Sequence, residues 1–331
     1  MIDAWLMPVV RIIPLAVKGK LLLPFYHSVN DKCPKHIRHL YSSRSTVDFL
    51  RDLDFLLHHY KPLSLKELYD KLNQGEAFDS RTFHLTFDDG FRECHDIIAP
   101  ILKRKGVPAT FFVCTGFLDN KRMFFRNIVS LLIDEFGNKV DRYKENNLAK
   151  LFSDHGIEFR GLGTTLMALN YQKAYLVENV ALLLEYDLSG YVNSQKPYLT
   201  TEQIKALASD GFSIGSHSID HPLYQSLTLE QQVCQTKQSM ADIEKILQVG
   251  TRAFAFPHND NNVPISFFKE TSDAIDIYFG TNRMKRDPVP KCLQRISLED
   301  NRFTCEEIVK RNLLLQAYYE VTFRGSVKRA I

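Results

Sequence analysis

The sequence predicts an α/β fold with a mainly parallel sheet, as a barrel or an open sheet, and three observations carry that expectation. Strand-like runs alternate with helical patterns along most of the chain. Helix starts carry capping signatures. Residues able to do chemistry fall directly after strand-like runs, where α/β folds place their sites.

The strand-like runs, rich in β-branched, aromatic and leucine residues, lie at 21–26, 82–87, 109–114, 212–215, 253–256, 277–280 and 293–297. Capping boxes open helices at Ser64 with Glu67, Thr228 with Gln231, and Thr304 with Glu307, and a further helix starts at Thr200 with Gln203 and stops near Gly211. Residues 91–105 are amphipathic through Ile97, Ile98, Ile101 and Leu102, with Gly106 as the stop. Only 119–198 breaks the alternation: helical runs at 125–136 and 172–186 occur there with no strand between them. The organisation expected is an N-terminal apolar segment at 1–19, a catalytic fold from 20–118 and 199–320, a helical insertion at 119–198 and a C-terminal tail at 321–331.

With 331 residues, 44% hydrophobic and 24% charged, the chain buries a full core and is not a disordered protein. Lys and Arg number 42 against 39 Asp and Glu, a net +3 without the dense basic stripe that nucleic-acid binding needs, so no nucleic-acid partner is expected. The six cysteines form no CxxC pair and read as reduced, packed thiols of a cytosolic protein. The apolar start, 1–17, carries Asp3, Arg11, Pro8 and Pro14. That makes it a poor signal peptide and no spanning helix. It reads as a segment packed on the domain or resting on a membrane surface, and with no export signal recognised a cytoplasmic role is expected, with peripheral association at the inner membrane face as its membrane-bound form.

The strongest local signal is His84-Leu85-Thr86-Phe87-Asp88-Asp89-Gly90, in which a strand delivers two adjacent carboxylates onto a glycine turn. Like charges this close are costly unless a cation neutralises one; the other can then act as a base. An Asp-Asp-Gly turn also serves a purely structural role. The second signal, His217-Ser218-Ile219-Asp220-His221-Pro222, follows another strand with two histidines four residues apart, a spacing that on a helical turn stacks both imidazoles on one face. Together the two motifs supply one carboxylate and two imidazoles, a three-ligand site with open positions.

These motifs resemble those of the NodB-homology polysaccharide deacetylase family, carbohydrate esterase family 4. Thr86-Phe87-Asp88-Asp89-Gly90 matches its first motif and His217-Ser218-Ile219-Asp220-His221-Pro222 its second, with flanking similarity at Val107-Pro108-Ala109-Thr110-Phe111-Phe112 and from Leu199 to Gly215. The resemblance implies an irregular (β/α) barrel that removes acetyl groups from N-acetylated sugars, releasing acetate. It implies Asp88 as general base, and Asp89, His217 and His221 as ligands of a divalent metal, zinc first, with cobalt, nickel or iron as alternatives.

The third motif departs from the family. Arg252-Ala253-Phe254-Ala255-Phe256-Pro257-His258-Asn259-Asp260 looks like the Phe-Ala-Tyr-Pro-Tyr-Gly form of bacterial poly-N-acetylglucosamine de-N-acetylases, with His258 and Asn259 in place of Tyr and Gly. The backbone N–H after Pro257 is the implied oxyanion donor, and it survives a change of side chain at His258. The arginine that braces the base in the family is replaced by Ala255, which leaves Arg295 as the candidate for Asp88. No histidine follows His258, so the usual C-terminal acid is missing. Leu21-Leu22-Leu23-Pro24-Phe25-Tyr26-His27 instead resembles rearranged members whose acid lies near the N-terminus, and His27 is the expected acid.

The expected activity is therefore hydrolysis of the N-acetyl group of an N-acetylhexosamine-containing glycan or precursor. The same machinery could serve a non-sugar amide, and the altered third motif leaves a non-catalytic carbohydrate-binding relative as a third reading. The helical insertion is expected to border the barrel mouth and shape the substrate cleft.

Overall fold

A computed structural model describes residues 21–78, 81–137 and 139–330, so the expected apolar segment at 1–19 lies outside the described residues. The chain divides into two compact units, one from 1–31, 43–119 and 198–331, the other from 32–42 and 120–197.

In the first unit the run at 21–26 becomes β1 (Leu21–Leu22) and β2 (Pro24–Tyr26), followed by β3 (Lys61–Pro62). The run at 82–87 becomes β4 (Thr82–Phe83) and β5 (Leu85–Phe87). Then come β6 (Ala109–Val113), β7 (Ser213–Ser216), β8 (Ala253–Ala255), β9 (Ile277–Gly280), β10 (Cys292–Gln294) and β11 (Ile296–Ser297). Strands β1, β4 and β3 form a small sheet; the other eight form one sheet in the order β10-β9-β8-β7-β6-β5-β2-β11, parallel at every pairing.

Strands β10 and β11 are halves of one extended stretch separated by Arg295 alone, yet they occupy opposite edges of the sheet. The sheet must therefore curl into a nearly closed barrel with Arg295 at the seam. Its N–H bonds Gly280 O at 3.1 Å on one side, and the next N–H, of Ile296, bonds Leu23 O at 2.9 Å on the other.

Side chains alternate across this wall with the two-residue strand period. Leu85, Phe87 and Phe111 face out into a core with Phe49, Leu53, Ile98 and Leu102, while Phe112, Ala253, Ala255, Ile277 and Phe279 form a separate cluster. Small residues make space on that second side: a Cβ on Gly215 would lie 2.4 Å from the Phe112 ring. Burying each of these phenylalanines contributes about 1.5–3 kcal/mol.

The helices of this unit are α1 (Thr46–His59), α2 (Leu65–Gln74) and α3 (Ala99–Lys105), and beyond the helical insertion α9 (Thr201–Ser209), α10 (Leu229–Ile246), α11 (Ile265–Thr271) and α12 (Cys305–Val321). The insertion itself supplies α4 (Phe125–Phe136), α5 (Arg142–Asp154), α6 (Leu162–Ala168), α7 (Leu176–Leu183) and α8 (Leu188–Gln195). All four expected capping boxes form, at Ser64, Thr200, Thr228 and Thr304. The run expected at 91–105 starts later: a wide-turn segment, Cys94–Ile98, precedes α3, because Pro100 has no N–H to give a regular helix. Helix α1 was not among the expected elements, although Ser45 accepts from Asp48 N at 3.1 Å and Phe49, Leu53 and Leu56 repeat at helical spacing.

In the second unit, no strand occurs among the described residues of 120–197. Helix α4 buries Ile128, Val129, Leu131 and Leu132, and α7 buries Leu176, Val177, Val180 and Ala181. The run expected at 172–186 shortens to a tight turn, Tyr171–Lys173, and α7, which cannot continue past Glu185 at φ 58°. Residues 32–42, expected in the barrel, belong to this unit; Asn127 Nδ2 and Ser130 Oγ donate to the carbonyls of His36 and Lys35 at 3.0 and 2.6 Å.

The stretch expected as a tail is anchored. Val327 N donates to Arg286 O at 2.8 Å, Ile265 N donates to Ala330 O at 2.9 Å, and the Arg329 side chain is fully buried.

Candidate active site

The parallel sheet sends the C-terminal ends of its strands to one face, and every chemistry-bearing residue singled out in the sequence follows such an end. His27 follows β2, Asp88 and Asp89 follow β5, His217 follows β7, Pro257 and His258 follow β8, and Arg295 follows β10.

Asp88 is buried, and its N–H donates to Tyr26 O at 2.9 Å. Its carboxylate accepts a two-pronged pair from Arg295, Nη1 to Oδ1 at 2.7 Å and Nη2 to Oδ2 at 2.8 Å. Arg295 also donates to Thr86 Oγ1 at 3.0 Å, and its guanidinium lies 4.7 Å from the Phe25 ring centre and 5.4 Å from that of Phe112. Burial works to raise the Asp88 pKa, but Arg295, His217 and His27 outweigh burial and hold it below the ordinary carboxylate value. The residue is thus held as an anion with its orientation fixed.

Asp89 turns away at φ 70°, which aims its side chain differently from that of Asp88. Its Oδ1 lies 3.1 Å from His221 Nε2 and 3.5 Å from His217 Nε2. Burial again works upward, yet His221, His217 and His27 push the Asp89 pKa well below its usual range.

The two histidines do not share a helical turn, which corrects the sequence expectation. A loop joins them in which Ser218 and His221 take φ values of 70° and 61°, and Ser218 Oγ accepts the His221 N–H at 3.0 Å. The left-handed residues reverse the chain and bring the ring centres to 4.9 Å.

Asp89, His217 and His221 present ligand atoms that all lie within 4.8 Å of one another. The donor set fits a divalent ion. His217 Nδ1 is 2.8 Å from Ala255 O, which can only accept; the ring proton therefore sits on Nδ1 and the Nε2 lone pair faces Asp89. Burial lowers the His221 pKa against the pull of Asp89, which keeps this imidazole in the neutral form that ligates.

His27 is bonded through Nδ1 to Glu299 Oε2 at 2.5 Å, and Glu299 Oε1 accepts the N–H groups of His27 and Ser28 at 2.6 and 3.1 Å. Burial lowers the His27 pKa, but Glu299, with Asp89 and Asp88 behind it, raises it overall to about 9. His27 is therefore protonated at neutral pH.

Glu299 was missed in the sequence. Its only signal was a carboxylate just past the Arg295 strand, on the same barrel face as a histidine needing an orienting partner. His258 is exposed, takes φ 57°, and sets its ring 4.4 Å from that of His221.

A barrel of parallel strands that gathers a carboxylate, two imidazoles and a separately braced carboxylate defines a metal-dependent hydrolase type of site. The polysaccharide deacetylase family matches residues 75–267, more than half of the sequence, and the chain belongs to that family. The Bacillus subtilis polysaccharide deacetylase YxkH is 37% identical over 78 residues, 23% of this chain and 26% of that protein, so the chain matches about a quarter of the length of this relative.

Among solved structures, the Streptococcus pyogenes deacetylase PplD in complex with acetate aligns at 18% identity and TM-score 0.57, covering 88% of this chain and 98% of that one. IcaB from Ammonifex degensii aligns at 16% and 0.55, covering 89% and 97%. The polysaccharide deacetylase BC0361 from Bacillus cereus aligns at 15% and 0.54, covering 89% and 69%. At these identities the three establish the shared fold.

Proposed function

We propose that this chain is a metal-dependent carbohydrate de-N-acetylase, which hydrolyses the N-acetyl group of an N-acetylhexosamine-containing glycan or glycan precursor and releases acetate. The observation that carries the reading is the division of labour between neighbouring carboxylates: Asp88 is gripped by Arg295, while Asp89 faces His217 and His221.

Asp88, an oriented anion, takes the proton of the attacking water. The His258 N–H, on the turn after Pro257, donates to the oxyanion that forms at the acetamide carbon. His27, charged and aimed by Glu299, gives its proton to the departing amine, which cannot leave readily as an anion. Asp89, His217 and His221 would hold a divalent ion, zinc in our reading, which would supply the Lewis acidity that lowers the pKa of water and polarises a carbonyl.

The helical unit selects the saccharide, and the protein works on the cytoplasmic side of the membrane. No helix among the described residues is long and apolar enough to cross a membrane, and peripheral contact is what we propose. The deciding experiment follows acetate release from N-acetylglucosamine oligomers and lipid-linked N-acetylated intermediates, with zinc, cobalt, nickel or iron supplied. Release is expected from at least one saccharide. Release only from non-sugar amides would move the reading to an amidohydrolase of another class, and metal binding with no release from either would leave a carbohydrate-binding relative.

A further inference from the structure

Asp260, Asp287 and Cys292 also bring metal-ligand atoms within 4.8 Å of one another, but the cation among them is the chain's own Arg329. Its Nε and Nη2 donate to the two Asp287 oxygens at 2.8 and 2.5 Å, and Nη2 donates also to Asp260 Oδ2 at 2.6 Å. Nη1 lies 3.3 Å from Asp260 O and 3.4 Å from Val263 O, and the guanidinium stacks 4.5 Å over the Phe268 ring. The side chains of all three charged residues are at most 1% exposed. A triad of charges this deeply buried is weak as a stabilising device, because desolvation offsets most of the attraction.

Its position suggests another use. Asp260 lies two residues beyond His258, on the turn whose N–H is the proposed oxyanion donor. Besides Arg329, the Asp260 carboxylate accepts from Asn282 Nδ2 and Gln294 Nε2, each at 2.7 Å, and from Thr281 N at 3.3 Å. Thr281 Oγ1 in turn donates to His258 O at 3.1 Å. His258 itself holds φ 57°, a left-handed conformation that a residue with a Cβ keeps only when its surroundings impose it. The cluster also presses on the end of β9: a Cβ on Gly280 would lie 2.5 Å from Asp260 Oδ2, and the Gly280 carbonyl accepts from Arg295 N and Nε at 3.1 and 3.3 Å.

We infer that Arg329 is a positioning residue for the reaction: paired with Asp260, it locks the 257–260 turn and so the direction of the His258 N–H. The inference rests on the deacetylase reading for its catalytic consequence, but the lock on the turn does not.

The test has two arms on the full chain. Arg329→Gln is expected to keep its metal and a KM within about twofold of the parent, while kcat falls by roughly 10- to 100-fold, short of the 100- to 1,000-fold typical of deleting an oxyanion donor. Amide hydrogen exchange in peptides spanning 256–262 is expected to quicken, with the other barrel peptides unchanged. Arg329→Lys, which restores the charge without the fork, is expected to recover part of both losses, and serves as the test variant should Arg329→Gln not fold. Unchanged exchange at 256–262, exchange that rises equally throughout the barrel, or an unchanged kcat in an active enzyme would overturn the inference. If the parent released no acetate from any saccharide, the deacetylase reading would fail, and the exchange arm would still decide whether Arg329 locks the turn.

Discussion

Replacing Arg295 with methionine leaves Asp88 buried without its counter-charge. The two side chains are 0% and 3% exposed and meet through hydrogen bonds of 2.7 and 2.8 Å. At an effective dielectric near 20, charges roughly 4 Å apart attract by about 4 kcal/mol, and removing one partner of a buried pair typically costs about 3–5 kcal/mol. Asp88 has a depressed pKa in the parent. Its contribution to stability is thus present above the unfolded carboxylate value of roughly 3.9 and is lost as pH falls through the lower folded value.

Without Arg295 the sign reverses, because burial becomes the leading influence and raises the pKa of Asp88. The deficit of Arg295→Met should then shrink as pH falls from 7 to 4, whereas the parent weakens on acidification. Urea unfolding at a series of pH values measures this directly, and the acid limb of kcat/KM should move to higher pH in the same variant. The double variant Arg295→Met with Asp88→Asn removes the stranded charge and should recover most of the lost stability. A pH-independent deficit below about 1 kcal/mol, or a double variant no more stable than the single, would refute the account of Arg295 as the brace of the base.

Asp88→Asn should keep bound metal and lose turnover, whereas Asp89→Asn and His217→Ala should lose both, as metal analysis beside acetate assays would show; equal metal loss at positions 88 and 89 would reverse the assignment. His27 has a raised pKa, so its pairing with Glu299 contributes stability below roughly 6.5 that is lost as pH rises through about 9, and activity that needs protonated His27 falls over the same range. Glu299→Gln should therefore bring the alkaline limb of kcat/KM to lower pH, and His27→Ala should keep metal but lose on the order of 100- to 10,000-fold in rate, with His258→Ala milder; an unmoved limb would sink the role given to the pair.

Much of the site was legible because its residues sit within a few positions of one another at strand ends, where the chain itself delivers them together. Asp88 and Asp89 are neighbours, and His217 and His221 are joined by one loop, although the loop's left-handed turns and not a helix bring their rings together. Arg295 could be nominated only by elimination, since 207 positions separate it from Asp88. Glu299 had only its place just past the Arg295 strand to signal it, and Arg329 had no signal. Their partners His27 and Asp260 lie 272 and 69 residues away, and no local pattern encodes pairings that only the folded chain brings together.

Closure of the barrel also ties the late residues to the site. The stretch 292–297 supplies both edges of the sheet, so its two halves are both paired only in the closed barrel. Arg295, at the seam, bonds Asp88, and Glu299, four residues on, bonds His27. The proposed base and the proposed acid thus have their partners on the stretch that closes the barrel. A chain with an open seam would carry Asp88, Asp89, His217 and His221 but leave the base unbraced and the acid unpaired. Barrel closure and site assembly thus draw on the same short stretch of chain.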